Sequence, residues 1–204
     1  MPQQLIQFKE SASQTAGPYV HIGCTPNFAE ISGVYEEDLG TRMLIGDAKG
    51  ERLTIKGRIL DGTGTPLKDA LVEIWQADSK GLYNSPSEMR GSSDPHFTGF
   101  GRCATDMASG EFSFETVKPG RVPFPDGRLM APHVTFWIVA RGINIGLHTR
   151  MYFSDEAGAN GEDPVLARIE HRHRVDTLIG KREGDVVTFD IHLQGDNETV
   201  FFDI

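Results

Sequence analysis

The sequence has little cysteine, which limits the disulfide and metal sites it can form. Its 204 residues include only 2 cysteines, Cys24 and Cys103. They lie far apart and lack the C-x-x-C spacing of zinc and redox motifs. Two isolated cysteines do not make the disulfide framework of a small secreted domain. We therefore expect both to be free, buried thiols.

Positive charge and long apolar runs are also scarce. The chain has 20 Lys and Arg against 29 Asp and Glu, a formal net charge of −9. Nucleic acids and anionic membranes bind basic patches, so this balance argues against both as partners. No apolar run approaches the ~18 residues of a membrane-spanning helix, and no signal peptide is visible at the N-terminus. These features predict a cytoplasmic protein.

The sequence does contain many short apolar runs separated by turn residues. Leu53, Ile55 and Ile59 alternate with polar residues, as expected of a half-buried strand. Similar runs, separated by some of the 23 glycines and 11 prolines, follow at 71–76, 111–117, 132–141, 147–153, 186–194 and 199–204. This pattern predicts an all-β protein, an antiparallel β-sandwich or barrel, spanning residues 31–204.

Two segments do not fit the strand pattern. Residues 164–171 predict one short helix, because Asp163 can cap it and Pro164 suits its first position. Residues 1–30 have no sustained periodicity. We expect them to form an arm that packs on a partner chain, since such an arm needs a surface to lie on.

Several motifs resemble those of one enzyme family in their order and spacing. They are VEIWQAD at 72–78, GLY at 81–83, KPGRVP at 118–123, APHVTF at 131–136 and HTRMYF at 148–153. Together they resemble the intradiol ring-cleaving dioxygenases, whose fold is an antiparallel β-sandwich. Residues 13–23, 140–150 and 197–204 resemble the non-iron alpha subunit of the family's two-chain members, so the resemblance spans nearly the whole chain.

The resemblance implies an incomplete iron site. In the family, two tyrosines and two histidines hold a ferric ion. The first tyrosine position falls on Tyr83 and the first histidine position on His133, whereas the other two fall on Val122 and Thr135. Valine has no donor atom, and a neutral threonine hydroxyl is a poor iron ligand. We expect a pseudo-site without metal and no catalytic residue in this chain alone, with Fe(III) bound by a homologous beta subunit.

The resemblance also implies a substrate and a shared pocket. The substrate would be protocatechuate, a catechol with a carboxylate, which O2 cleaves between its two hydroxyl-bearing carbons. Arg141 follows an apolar strand at a glycine turn, and a guanidinium can bind a carboxylate through two parallel hydrogen bonds. We expect Arg141, with Thr15, Gly17, Pro18 and Tyr19 of the arm, to complete the beta subunit's pocket in a larger alpha–beta oligomer.

Two other functions are compatible with the residues. The first is a self-sufficient catechol dioxygenase that binds iron through Tyr83, His133, Tyr152 and His148. The iron content of the purified chain would separate it from the alpha-subunit hypothesis. The second is a non-enzymatic binding module that shares only the fold. This hypothesis leaves the arm and Arg141 unexplained, and it predicts no co-purifying homologue with a complete set of iron ligands.

Overall fold

The computed structural model describes residues 14–144 and 146–203, and β-strands dominate this part of the chain. The strands are β1 Arg52–Leu60, β2 Leu71–Trp75, β3 Phe100–Ala104, β4 Glu111–Val117, β5 His133–Val139, β6 Leu147–Phe153, β7 Ile179–Glu183, β8 Val186–Thr188 and β9 Ile191–His192. The helices are α1 Pro18–Cys24 and α2 Ala157–Glu162, with 3-10 turns at Leu166–Arg168 and Arg172–Leu178. No helix within the described residues is long and apolar enough to cross a membrane.

The strands form one strongly curved sheet in the order β3-β2-β5-β6-β7-β8-β1-β4, with β9 also paired to β1. The result is a nearly closed barrel or sandwich. The all-β prediction is confirmed, but the antiparallel detail is only partly right. β6 pairs with β7, and β1 pairs with β8 and β9, in parallel. A parallel pair needs a long crossover rather than a hairpin, and the helical segment 154–178 supplies it between β6 and β7.

Alternating side chains of the strands fill the core. In β1, Leu53, Ile55 and Ile59 are almost fully buried, as their spacing predicts. Gly57 lies between Ile55 and Ile59 because the backbone of the loop between β8 and β9 passes very close to it. A Cβ atom at this position would come within 1.8 Å of the carbonyl oxygen of Phe189. Any side chain here would therefore push the loop before β9 away from β1.

The predicted helix at 164–171 is wrong, although its capping chemistry is present. Asp163 accepts hydrogen bonds from the backbone N–H groups of Val165 and Leu166 at 2.8 and 2.9 Å. The helix nevertheless stops after one 3-10 turn, because Ile169 already has an extended backbone. Of the two α-helices, α2 precedes Pro164, and α1 lies in the arm, where no helix was predicted.

The two cysteines are free thiols, as predicted, and each is partly buried. Burial raises the pKa of the Cys103 thiol to about 12, so this side chain is not a reactive thiolate near neutral pH. Cys103 lies on β3, which the strand periodicity did not reveal.

Asp163 should be a principal stabilising residue of the region between α2 and β5. Its buried carboxylate also accepts a hydrogen bond from the N–H of Ala131 at 2.7 Å. Asp163→Ala would leave three backbone donors without their partner, so we expect the free energy of unfolding to fall by about 2–4 kcal/mol. Chemical denaturation monitored by circular dichroism measures this change. Asp126→Ala, at an exposed turn, is the control, and equal effects of the two substitutions would contradict the prediction.

Candidate functional site

Near the start of the described arm, Thr15 is hydrogen-bonded to the turn between β5 and β6. The Thr15 hydroxyl accepts a hydrogen bond from the N–H of Gly142 at 2.8 Å and donates one to the carbonyl of Ala140 at 3.3 Å. Gly142 has φ +82°, a left-handed conformation that glycine adopts readily. The hydroxyl thus holds the arm against the turn that carries Arg141.

Helix α1 follows at once. Gly17 is its N-cap and Pro18 stands in its first turn, where a missing N–H costs nothing. His21 joins the helix to the barrel through a 3.0 Å hydrogen bond from its Nε2 to the carbonyl of Asp69. Tyr19, in contrast, is 85% exposed. The arm therefore contacts its own domain on one side and presents an unburied aromatic ring on the other.

Arg141 faces the same region. Its side chain is 74% exposed, and its Nε donates to the carboxylate of Asp69. A groove of about 490 Å³ runs between the arm and this ion pair. Its mostly apolar lining includes Gly17, Pro18, Ile22, Phe28, Met107 and Arg141. The structure thus brings Gly17, Pro18 and Arg141 to one groove, with Thr15 bonded to the adjacent turn and Tyr19 outside the lining.

Sequence reasoning missed Asp69, His21 and Phe28 in this region. Asp69 lies 72 residues from Arg141 along the chain, and no local motif relates them. The alternation of β2 begins only after Asp69, so periodicity marks this residue as a loop position. The sequence held one indication of its role. Asp69 is an acidic residue just before β2, and β2 pairs with β5, the strand that leads to Arg141.

The pseudo-site lies elsewhere, on the outer face of the sheet. Tyr83 and Val122 belong to one apolar cluster with Ala77 and Met130. The Tyr83 ring stacks on Trp75, with ring centroids 6.0 Å apart and planes inclined by 5°. Burial raises the pKa of the Tyr83 phenol, which favours its neutral form. Tyr83 and Val122, two of the four family ligand positions, therefore share one cluster, where both side chains pack against apolar neighbours.

His133 and Thr135 supply the other two positions. They stand two residues apart on β5, so both point to the same face of the sheet. His133 is 4% exposed, and its Nδ1 donates a 2.8 Å hydrogen bond to the carbonyl of Ala131. Burial, with a further contribution from the charge of Arg150, lowers the pKa of His133 to about 4. The imidazole is therefore neutral at pH 7.

These residues do not fit a ferric ion. Val122 has no donor atom, and its side chain is buried among apolar neighbours. Thr135 stands directly opposite Arg150, a cationic residue, in the β5–β6 register. Within residues 14–144 and 146–203 no group of three or more His, Cys, Asp or Glu side chains is arranged to hold a metal. Tyr83 and His133 remain as two isolated members of the family's set of four.

The alternative ligand set of a self-sufficient enzyme is not assembled either. Tyr152 lies opposite His133, with ring centroids 5.7 Å apart, but its hydroxyl faces the Asp163 carboxylate at 3.4 Å. His148 is four residues away from Tyr152 on β6, which corresponds to about 13 Å along a strand. It packs against Trp137, opposite it on β5. His148 cannot share one metal ion with the other three.

Comparison with known proteins agrees with this geometry. A family model described as Dioxygenase matches residues 24–195. The protocatechuate 3,4-dioxygenase alpha chain of Pseudomonas putida is 45% identical over 100% of both chains. This chain belongs to the intradiol dioxygenase family. The resemblance inferred from its motifs is thereby confirmed.

The similar proteins include both an alpha chain and a beta chain of protocatechuate 3,4-dioxygenase. The protocatechuate 3,4-dioxygenase beta chain of Burkholderia cepacia is 36% identical, over 68% of this chain and 57% of the relative. A crystal structure of catechol 1,2-dioxygenase from Pseudomonas arvilla C-1 superposes with a TM-score of 0.54 at 25% identity, covering 76% of this chain and 56% of the other. This chain therefore shares the fold of that catechol 1,2-dioxygenase.

The buried His133 should make the stability of the protein depend on pH. Its pKa of about 4 in the folded state lies below the ordinary value of 6.5, so unfolding takes up a proton between these values. Stability contributed by the neutral imidazole is complete above about pH 6.5 and is lost as the pH falls towards 4. The loss is on the order of 3 kcal/mol.

Chemical denaturation at several pH values gives the slope of the unfolding free energy against pH. The difference in this slope between the wild type and His133→Asn measures the contribution of the imidazole. Tyr83→Phe, which removes only a phenol hydroxyl from the pseudo-site, is the control and should keep the wild-type slope. An unchanged slope in His133→Asn would show that folding does not lower the pKa of this imidazole.

Proposed function

We propose that this chain is the non-iron alpha subunit of a protocatechuate 3,4-dioxygenase. The observation that carries the proposal is the 45% identity over the full length of an alpha chain, together with Val122 and Thr135 at two ligand positions. The assembled enzyme is an oxidoreductase of aromatic catabolism. It incorporates both atoms of O2 into 3,4-dihydroxybenzoate and yields 3-carboxy-cis,cis-muconate.

The partner in this proposal is a homologous beta subunit that holds Fe(III). The similarity of this chain to a beta chain supports a common origin of the two subunits. The partner's ferric ion supplies the ring-opening chemistry, and the present chain supplies part of the pocket around it. A larger oligomer of alpha–beta pairs and a cytoplasmic location remain predictions from the sequence.

The groove beside the arm is the part of this chain best suited to such a pocket. It is open on one side, so a second chain can close it and exclude water. The apolar side chains of Ile22, Phe28 and Met107 suit an aromatic ring, and Gly17 and Pro18 form a rigid wall with no bulky polar group. The exposed ring of Tyr19 is available to the partner at the edge of this groove.

Arg141 is the residue proposed to face the substrate carboxylate. Asp69 engages its Nε, so the edge formed by the two Nη atoms remains able to make two parallel hydrogen bonds. Asp69 also holds α1 through its carbonyl and His21. The guanidinium and the arm are therefore attached to the same loop, and they would move together if this loop shifted.

The purified chain alone should contain no stoichiometric iron and should lack the colour of tyrosinate-to-ferric charge transfer. Two donors do not retain a hard ferric ion, and the groups at the other two positions cannot replace the missing ligands. Metal analysis and a visible spectrum of the chain expressed without its partner test this expectation. About one tightly held iron per chain would favour the self-sufficient enzyme instead.

Arg141→Ala should lower kcat/KM for protocatechuate in the assembled enzyme by roughly ten- to a hundredfold, since a charge-assisted contact is worth about 1.5–3 kcal/mol. The iron content should not change. If Arg141 contacts the carboxylate directly, plain catechol should lose less activity, because it has no carboxylate.

Steady-state kinetics on both substrates measure this, with iron quantified in the same samples. Arg128→Ala, which removes an arginine from an exposed turn, is the matched control. Full activity of Arg141→Ala at full iron occupancy would exclude Arg141 from the pocket.

A further inference from the structure

The four family ligand positions surround a positively charged side chain. Arg150 on β6 lies directly opposite Thr135 on β5, and directly opposed residues have Cβ atoms about 5 Å apart. Thr135 in turn is opposite Trp75 of β2, on which the Tyr83 ring is stacked. Arg150 therefore stands in one row of side chains with Thr135 and with Trp75, on which the Tyr83 ring is stacked.

The contacts of the guanidinium place it among the other two positions. Its Nη1 lies 3.4 Å from the sulfur of Met130, which packs in one cluster with Val122 and Tyr83. His133 stands two residues from Thr135 on the same face of β5, so it is a diagonal neighbour of Arg150 across the β5–β6 register. All four positions are thus close to one half-buried cation.

Arg150 differs in its contacts from Arg102, an arginine on another strand of the same sheet. Arg102 on β3 makes a 2.7 Å ion pair with Glu73 on β2. Arg150 instead contacts the thioether of Met130 and the hydroxyl of Tyr152, and its guanidinium carbon lies 5.9 Å from the centre of the Phe202 ring. Its positive charge therefore borders the pseudo-site beside Met130, and the Glu73 carboxylate, which is paired with Arg102, does not balance it there.

We propose that Arg150 occupies the place of the metal and keeps the pseudo-site closed to cations. The proposal rests on the proposed function, in which the iron belongs to the partner subunit. Loss of two ligands weakens metal binding, and a fixed guanidinium adds both repulsion and bulk, because like charges a few ångströms apart repel strongly outside bulk water. Each alpha–beta pair then has a single metal centre.

A partly restored site tests the proposal without reference to catalysis. Thr135→His would place a second imidazole two residues from His133 on the same face of β5, and paired imidazoles bind Ni²⁺. The probe is Ni²⁺, titrated calorimetrically into the full-length chain, and the wild type provides the background binding. We expect Thr135→His alone to add no site above this background. The double variant Thr135→His with Arg150→Met should add one Ni²⁺ site, with an affinity at least about tenfold higher than the wild-type background.

Two matched variants separate the charge of Arg150 from other effects. Thr135→His with Arg150→Lys retains a cation and should remain closed to Ni²⁺. Thr135→His with Arg102→Met removes an arginine from the same sheet and should also remain closed. Near-UV circular dichroism verifies folding, and Arg150→Gln replaces Arg150→Met if the latter does not fold.

The proposal is overturned if Thr135→His binds Ni²⁺ equally well with and without Arg150. It is also overturned if removal of Arg150 from a folded Thr135→His chain adds no site. Either result concerns Arg150 alone, because neither depends on the partner or on activity. Iron in the wild-type chain would instead contradict the proposed function.

Discussion

The antiparallel pairing of β5 with β6 is the constraint on which both functional regions depend. Its register sets His133 opposite Tyr152 and Thr135 opposite Arg150. A slip of one residue would turn every side chain of one strand to the other face of the sheet. The register is held by core residues between them, such as Val134 and Met151, which are both fully buried. The same strand pair ends in the turn that carries Arg141.

The two ends of the β5–β6 pair differ in the charge and exposure of their side chains. At the pseudo-site, His133 is neutral because it is buried, and a guanidinium occupies the surroundings of the former ligand positions. At the turn, Arg141 is exposed and paired with Asp69 beside an open apolar groove. Family ligand positions are thus packed among apolar side chains at one end, while the other end carries an exposed charge.

A packed pseudo-site at one end and an exposed, charged turn at the other suit a subunit derived from a catalytic ancestor. The barrel still depends on the cluster around Tyr83 and Val122 for its packing, because these side chains join the segments before and after β4. Substitution of the ligands could therefore remove the metal without removing the fold. In the proposed enzyme, the groove and arm keep this chain necessary, since they form the wall that a single iron-binding chain would lack.

How much of the fold was predictable depends on the strand. β1 alternates between buried and less buried positions along its whole length, and β4 does so until its last two residues, so the sequence pattern located both well. β6 was located as an apolar run, although its last three residues are all buried. β3 includes Gly101 and Arg102 and has few fully buried side chains, so its periodicity was too weak to detect. The run at 186–194 broke into β8 and β9, because the backbone changes its pairing on β1 around Phe189.

The sequence by itself determined which chemistry this chain lacks. Donor atoms are a covalent property of a residue, so Val122 and Thr135 exclude the family's ligand set whatever the fold. The tertiary structure alone decided what replaced it. Arg150 meets Met130 across 20 positions, and Arg141 meets Asp69 across 72. Contacts at such separations depend on strand order and register, which arise from burial of the whole core, and no local pattern encodes them.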